Sequence, residues 1–214
     1  MKSILFLVLF LAQFCHAQVS IGHTTITFND PTRSGGVGSG GGPGRQIQTE
    51  IYYPATSAGT STPFASGKFP IIVFGHGFAM TWDAYSNIWE HYVPRGYIMA
   101  FVRTESSLFP SPSHGDFGLD LKLVAQKMLE LQTTNALFQN HIYPKVGLMG
   151  HSMGGGASFL AANNNTNIAA LIGLAPAETN PSAIAVAPNV QVPSIVFSGS
   201  SDGVTPPPQH HIPM

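Results

Sequence analysis

The amino-acid sequence predicts an α/β fold built on a doubly wound, mostly parallel sheet. From residue 69 onward, short apolar runs alternate with segments of helical pattern, and this alternation implies right-handed crossover connections. The runs are continuously apolar, as in strands that are buried on both faces. With 214 residues and no internal repeat, the chain fits one domain with a full-sized core.

Two β-strands precede this alternating region. Residues 21–28 and 46–53 have alternating side chains, and residues 34–44 between them (SGGVGSGGGPG) have the composition of a flexible hairpin loop. Further strands are predicted at residues 70–74, 97–102, 146–149, 169–174 and 194–197. Helices are predicted at residues 85–93, 116–131 and 154–162. The second helix has the clearest apolar stripe, which includes Leu119, and we expect Asp116 to cap its first turn.

The first 17 residues are expected to be a secretory signal peptide. Lys2 supplies the positive charge near its start, and residues 4–12 form an apolar run that is too short to span a bilayer. Small residues indicate cleavage after Ala17, which leaves residues 18–214 as one mature domain. The alternative is a lipoprotein modified at Cys15, although a bulky residue precedes that cysteine. We therefore expect a secreted monomer without a stable membrane anchor.

The composition argues against several classes of function. Charged residues make up 9% of the chain and the formal net charge is −1, so no nucleic-acid-binding surface is indicated. A G-x-G-x-x-G match at residues 36–41 lies in the glycine-rich loop, and no helix follows it to hold a dinucleotide. His114 and Asp116 lack a third ligand at a suitable spacing. We expect neither a metal ion nor a cofactor.

Residues 150–154 (GHSMG) fit the motif G-x-S-x-G. A predicted buried strand precedes the motif and a glycine-rich helix follows it, which is the context of the nucleophile elbow in the α/β-hydrolase fold. Such a turn strains the backbone of its central residue, Ser152, and holds the hydroxyl at a helix N-terminus that favours negative charge. Side chains at positions 150 and 154 would collide with the neighbouring strand and helix. Ser152 is therefore predicted to be a nucleophile.

Residues 75–78 (GHGF) follow the first buried strand of the alternating region. In this fold, the loop after that strand supplies one N–H of an oxyanion hole and the residue after the nucleophile supplies the other. We assign these donors to Phe78 and Met153. The ring of Phe78 is expected either to line an acyl pocket or to pack in the core. His76 and His151 are expected to be structural residues rather than the catalytic base.

The acid and the base of a triad should follow Ser152 in that order. The carboxylates after the serine are Glu178 and Asp202, and Asp202 is favoured because it comes directly after a predicted strand. The histidines after Asp202 are His210 and His211, but a further strand should intervene before a histidine can return to the serine. We therefore expect that the fold is truncated at its C-terminus and that the catalytic histidine lies beyond this sequence.

Together these motifs resemble the cutinase-like and poly(ethylene terephthalate) hydrolases and their relatives, the chlorophyllases and dienelactone-hydrolase-type esterases. The resemblance runs from about residue 46 to the end. It rests on residues 75–78, 104–108 (TESSL), 150–156 (GHSMGGG) and the strand that begins at residues 192–193 and leads to Asp202. It implies an α/β-hydrolase fold with Ser152 as nucleophile, Asp202 as acid, and the amides of Phe78 and Met153 as oxyanion hole. It also implies a catalytic histidine a few tens of residues after Asp202.

One departure from this resemblance concerns the substrate. Polyester hydrolases of this kind carry a tryptophan just after the strand that ends here at Leu174, whereas this chain has Ala175. The resemblance implies a secreted serine hydrolase of the cutinase, lipase or polyester-hydrolase type, which acts through an acyl-enzyme on small or polymeric carboxylic esters. A serine nucleophile argues against a dienelactone hydrolase proper. The alternatives are a catalytically inactive binding protein, or a peptidase or thioesterase of the same fold.

Overall fold

The computed structural model describes residues 19–35 and 42–214. The expected signal peptide and the centre of the glycine-rich loop lie outside these residues. The strands are β1 (Ser20–Asp30), β2 (Arg45–Ala55), β3 (Gly59–Thr60), β4 (Phe69–Gly75), β5 (Ile98–Val102), β6 (Ile142–His151), β7 (Ile168–Leu174) and β8 (Ser194–Phe197). The helices are α1 (Ser86–Tyr92), α2 (His114–Thr134), α3 (Met153–Ala162) and α4 (Ala183–Val186).

The strands in the described part of the chain form one eight-stranded sheet, in the order β3-β1-β2-β5-β4-β6-β7-β8. The neighbouring strands in the series β5-β4-β6-β7-β8 are all parallel to each other. On its other side, β5 pairs with β2 in the antiparallel direction. The β1–β2 hairpin is also antiparallel. The predicted mostly parallel, doubly wound sheet is confirmed.

The strand order reverses at β4, which lies between β5 and β6. The crossover from β4 to β5 contains α1, and the crossover from β5 to β6 contains α2. Two separate apolar clusters cover the sheet. One contains Phe117 and Leu121 of α2, and the other contains Trp89 of α1 and Tyr85 just before that helix. Because the strand order reverses here, the carboxyl ends of β4 and its neighbours are the place where ligands bind in open α/β sheets.

Helix α2 differs from its prediction at the N-terminus. It begins at His114, and Ser113 is the capping residue, since its Oγ accepts a hydrogen bond from Asp116 N–H at 3.1 Å. The expected cap at Asp116 is therefore wrong, because this residue already lies inside the first turn. Leu119 is 49% exposed, so it is also not part of the buried stripe.

The segment predicted as a helix at residues 85–93 is divided into three parts. Helix α1 spans Ser86–Tyr92, and 3₁₀ turns flank it at Trp82–Tyr85 and Val93–Arg95. Gly96 ends the segment in the left-handed conformation, with φ of 87°. None of the helices in residues 19–35 and 42–214 combines the length and apolarity required to cross a membrane.

A buried ion pair connects Arg45, the first residue of β2, to Asp120 of α2. Arg45 and Asp120 are 1% and 0% exposed. Arg45 Nε donates to Asp120 Oδ1 at 2.8 Å and Nη2 donates to Oδ2 at 2.6 Å, so the pair is bidentate. Nη2 also lies 2.7 Å from Glu105 Oε1, and the Thr104 hydroxyl donates to Asp120 at 2.6 Å. This network joins the loop after β5 to the core.

Candidate active site

Ser152 occupies the junction between β6 and α3 in a strained conformation. Its φ is 51° and its ψ is −118°, in a region that residues other than glycine rarely adopt. Its N–H donates to the Leu174 carbonyl at 3.0 Å, and its own carbonyl accepts from the N–H groups of Gly156 and Ala177 at 3.1 and 2.8 Å. The end of β7 and the first turn of α3 thus hold the serine in the sharp turn that the motif predicts.

The glycines on either side of Ser152 allow the elbow to pack closely. A Cβ at Gly150 would lie 2.2 Å from the Gly154 carbonyl oxygen. A Cβ at Gly154 would lie 2.1 Å from the carbonyl oxygen of Gly75. The collisions expected from the sequence are therefore present, and the second of them brings the elbow into contact with the loop after β4.

The loop after β4 contains the first proposed oxyanion donor. His76 is 1% exposed, and its Nδ1 and Nε2 lie 2.9 and 2.8 Å from the carbonyl oxygens of Gly77 and Thr104. Burial lowers the pKa of His76. These contacts give His76 the structural role expected for it. The Phe78 side chain that follows is 45% exposed and is not part of the core.

The two proposed donors have no other acceptor in the described structure. Met153 is the first residue of α3, and the first N–H groups of a helix lack an intrahelical acceptor. Among the hydrogen bonds of residues 19–35 and 42–214, none uses the N–H of Phe78. Both amides are thus available to a negatively charged oxygen, and the helix dipole of α3 favours such a charge.

Tyr85 is a residue of this region that the sequence reasoning missed. Its Oη accepts a hydrogen bond from Gly77 N–H at 2.8 Å and lies 2.9 Å from His151 Nδ1. Burial raises the pKa of Tyr85 and lowers that of His151. Tyr85 and His151 are 66 residues apart in the chain, so no local pattern could have indicated their contact.

Asp202 lies in the loop after β8 and is stabilised as a carboxylate. Its Oδ1 accepts from the N–H groups of Thr205 and Val204 at 2.9 and 2.8 Å, and its Oδ2 accepts from the Thr205 hydroxyl at 2.8 Å. The backbone hydrogen bond from Thr205, followed by that from its hydroxyl, lowers the pKa of Asp202 to about 2. The side chain is therefore ionised at neutral pH, as the acid of a triad must be.

The other candidates for acid and base have local partners. Glu178 Oε2 accepts from Ile184 N–H at 2.9 Å in the first turn of α4. His210 Nδ1 accepts from the Glu178 N–H at 2.8 Å. His211 Nδ1 contacts Ser198 Oγ, and its buried Nε2 has no hydrogen-bond partner among the described residues. In this part of the chain no hydrogen bond joins either histidine to Ser152.

The chain is similar to several known proteins. A family model described as "PETase: PET hydrolase-like" matches residues 17–214. The chain is 28% identical to a bis(hydroxyethyl) terephthalate hydrolase of Streptomyces coelicolor over 164 residues, which are 76% of this chain and 47% of the relative. It is also 28% identical to chlorophyllase-1 of Citrus sinensis over 115 residues, 54% of this chain and 35% of the relative.

The chain thus spans about half the length of the first of these relatives and less of the second. The suspected kinship with polyester hydrolases and chlorophyllases is confirmed, and so is the α/β-hydrolase fold that it implied. By its match over residues 17–214, the chain belongs to the PET hydrolase-like family.

Proposed function

We propose that the protein is a secreted serine hydrolase of carboxylic esters and that it acts through an acyl-enzyme on Ser152. The observation that carries this proposal is the backbone of Ser152, with φ of 51° at the N-terminus of α3. Strain of this kind clusters at functional sites, and here it lies in the turn that exposes a nucleophile in α/β-hydrolases.

The proposed reaction begins with attack of Ser152 Oγ on the ester carbonyl carbon. A base takes the hydroxyl proton, and the amides of Phe78 and Met153 stabilise the oxyanion of the tetrahedral intermediate. The C–O bond to the alcohol then breaks, the alcohol leaves with a proton from the base, and the acyl group remains on the serine. Water attacks the acyl-enzyme in the same way and releases the acid.

The base is proposed to be a histidine that follows Asp202 and lies outside residues 19–214. Two observations support this assignment. His210 and His211 have other partners in the structure, Glu178 N–H and Ser198 Oγ. The relatives are about twice as long as the matched part of this chain or longer, so they contain further sequence in which such a residue can lie.

The substrate is proposed to be an ester with an apolar acyl or alcohol group. The names of the two relatives specify a terephthalate diester and, for the chlorophyllase, chlorophyll, so both are hydrolases of bulky carboxylic esters. The exposed ring of Phe78 supplies apolar surface beside the proposed oxyanion hole. Secretion is proposed from the expected signal peptide.

The test uses the full-length protein and a Ser152→Ala variant. We expect a fluorophosphonate probe to label the wild type and not the variant, and hydrolysis of a p-nitrophenyl ester to fall by about 10⁴-fold or more in the variant. Ser201→Ala, at an exposed serine near Asp202, is the matched control and should behave as the wild type.

A folded wild-type protein that neither labels nor hydrolyses esters would contradict the proposal and favour the binding-protein alternative. The peptidase and thioesterase alternatives are tested with ester, amide and thioester analogues of one acyl group. Faster turnover of the amide or the thioester than of the ester would replace the proposed activity with the corresponding one.

A further inference from the structure

The hydroxyl of Tyr85 lies between the oxyanion loop and the nucleophile elbow. Gly77 N–H donates to Tyr85 Oη at 2.8 Å, and His151 Nδ1 lies 2.9 Å from the same oxygen. Gly77 is the residue before the proposed oxyanion donor Phe78, and His151 is the residue before the proposed nucleophile Ser152. One side chain therefore contacts both segments, in each case at the residue just before the proposed reactive residue. We call these two contacts, Gly77 N–H to Tyr85 Oη and Tyr85 Oη to His151 Nδ1, the Tyr85 bridge.

We propose that Tyr85 is a positioning residue, whose hydroxyl sets the distance between the oxyanion donor and the nucleophile. The inference rests on the proposed function, because the distance has chemical meaning only if Ser152 attacks a carbonyl. Tyr85 contacts neither the substrate nor the reacting atoms in this proposal. It acts through Gly77 on one side and through His151 on the other.

The protons of this contact can be assigned from the chemistry of the groups. A backbone N–H can only donate, so Tyr85 Oη accepts from Gly77. The single hydroxyl proton then has two acceptors within reach, His151 Nδ1 at 2.9 Å and Met80 Sδ at 3.1 Å. An imidazole nitrogen is a much better acceptor than a thioether sulfur. We infer that Tyr85 donates to His151 Nδ1, with the proton of the neutral His151 ring on Nε2. In the opposite arrangement His151 Nδ1–H would donate to Tyr85 Oη and the hydroxyl would donate to Met80 Sδ, and the ¹⁵N NMR signal of His151 Nδ1 distinguishes the two.

The ionisation of both rings is compatible with this assignment. Burial raises the pKa of Tyr85, which keeps the phenol protonated and able to donate. Burial also lowers the pKa of His151, although the nearby charge of Asp202 acts in the opposite direction. A neutral His151 with an unprotonated Nδ1 is the form that can accept the Tyr85 proton.

The packing around Gly77 provides independent support. A Cβ at Gly77 would lie 2.9 Å from Met80 Sδ, 3.0 Å from His151 Nδ1 and 3.3 Å from Tyr85 Oη. A side chain at position 77 would therefore have to displace Met80 Sδ and crowd both the Tyr85 hydroxyl and the His151 ring. The Tyr85 ring is 7% exposed and packs against Phe74 of β4 with a centroid distance of 4.7 Å, so the hydroxyl is presented by a rigid group.

The Tyr85 bridge fixes the peptide group that carries the Gly77 N–H, directly before the proposed donor Phe78. Because its N–H is bound to Tyr85, Gly77 is excluded as an oxyanion donor, and the orientation of the following peptide with Phe78 N–H is restricted. Displacements of about 1 Å in a catalytic arrangement can reduce the rate about 10²-fold. A hydroxyl that sets this distance should affect turnover more than substrate binding.

The experiment compares wild type, Tyr85→Phe and Tyr97→Phe in the full-length protein. Tyr97 is partly buried, and its hydroxyl forms no hydrogen bond within the described residues, so it is a matched control. We expect Tyr85→Phe to lower kcat for a p-nitrophenyl ester by about 10- to 100-fold with KM within about threefold, while Tyr97→Phe leaves both unchanged. A Tyr85→Phe variant with kcat within twofold of the wild type would overturn the proposal.

Two further measurements do not depend on hydrolysis. Amide hydrogen exchange at Gly77 should become faster in Tyr85→Phe, and the ¹⁵N NMR signal of His151 Nδ1 should be that of an unprotonated nitrogen in the wild type and shift in the variant. Unchanged signals would overturn the bridge even if the variant were unstable. If the wild type shows these signals but no hydrolysis or labelling, the proposed function fails and the positioning role fails with it, while the bridge itself is retained.

Discussion

Gly154 in α3 lies in direct backbone contact with Gly75 at the end of β4. A Cβ at Gly154 would be 2.1 Å from the Gly75 carbonyl oxygen and 2.6 Å from the carbonyl oxygen of His76. Both of these neighbours are backbone atoms, which cannot rotate away as a flexible side chain could. At this point the segment of the proposed nucleophile and the segment of the proposed oxyanion donor thus meet backbone to backbone, with no side chain between the two glycines.

Replacement of Gly154 by alanine should therefore destabilise the protein and disturb the site. We expect the free energy of unfolding in urea to decrease by about 3 kcal/mol or more, because a rigid neighbour makes overpacking costly. The control is Gly203→Ala, since a Cβ at Gly203 meets no atom within 4 Å. Equal stability of the two variants would contradict the close packing.

Replacement of Phe78 by alanine should weaken binding of an apolar ester without lowering the stability of the protein. The ring is 45% exposed, so we expect the free energy of unfolding to change by less than about 0.5 kcal/mol. KM for an apolar ester should increase, because the ring is proposed to line the acyl pocket. Phe117→Ala is the comparison, since the fully buried ring of Phe117 should cost about 3–5 kcal/mol. An unchanged KM in Phe78→Ala would contradict the pocket assignment.

Replacement of Arg45 by methionine should test the buried network below the site. The change removes the bidentate partner of Asp120, which is 0% exposed, but Arg33 Nη2 remains 2.7 Å from Asp120 Oδ1. We therefore expect a loss of more than about 1 kcal/mol but below the about 3–5 kcal/mol of a buried charge left without any partner. Lys127→Met removes a half-exposed partner of Glu130 and should cost less than about 1 kcal/mol. Urea denaturation measures both. If the free energy of unfolding decreased equally in the two variants, the buried ion pair would be no more stabilising than the half-exposed one, which would contradict the prediction.

The pH dependence of Asp202 should follow from its lowered pKa. The pKa is about 2 in the folded state against an ordinary value of 3.8, so the carboxylate stabilises the folded loop fully above pH 4. This contribution is lost as the pH falls from about 4 to about 2. Thr205→Val removes one donor and should raise the pKa toward its ordinary value. NMR titration of the Asp202 carboxyl carbon measures it, with Ser201→Ala as control. No difference between the variants would exclude the Thr205 hydroxyl as a cause.

The two histidines near the end of the sequence should be dispensable for the reaction. His210→Gln and His211→Gln are each expected to leave the rate of fluorophosphonate labelling within about twofold of the wild type in the full-length protein. Among the described residues neither histidine forms a hydrogen bond with Ser152, and His210 accepts one from Glu178 N–H. A loss of labelling of about 10²-fold or more in a folded variant would instead identify that histidine as the base.

The sequence predicted those parts of the site whose geometry is local in the chain. Gly150 and Gly154 indicated the elbow because close packing at a strand–turn–helix junction requires glycine at fixed spacing. The pattern of apolar runs predicted the sheet for a similar reason, since burial on both faces leaves a continuous apolar segment. β3 and α4 were not predicted, because two and four residues are too few for any periodicity.

Two features were missed, the capping residue of α2 and the contact of Tyr85 with His151. In the first, two residues competed for one position, and in the second, the partners are far apart in the chain. Asp116 was expected to cap α2, but Ser113 three residues earlier takes that position, and the spacing of a serine and an acidic residue is itself the signature of a capping box. Tyr85 could not be connected to His151 because only the docking of the 3₁₀ turn beside α1 against the end of β6 brings them together.

The backbone of Ser152 is held by groups from another strand, since its N–H binds the carbonyl of Leu174 at the end of β7 and its carbonyl binds the N–H of Ala177 just beyond. Pairing of β7 with β6 therefore contributes two of the hydrogen bonds that stabilise the strained conformation. A covalent probe that reacts with this serine would then count the molecules in which the sheet is assembled. The extent of labelling would then report local separation of β7 from β6. It would do so even at temperatures where the circular dichroism of the whole chain is still that of the native protein.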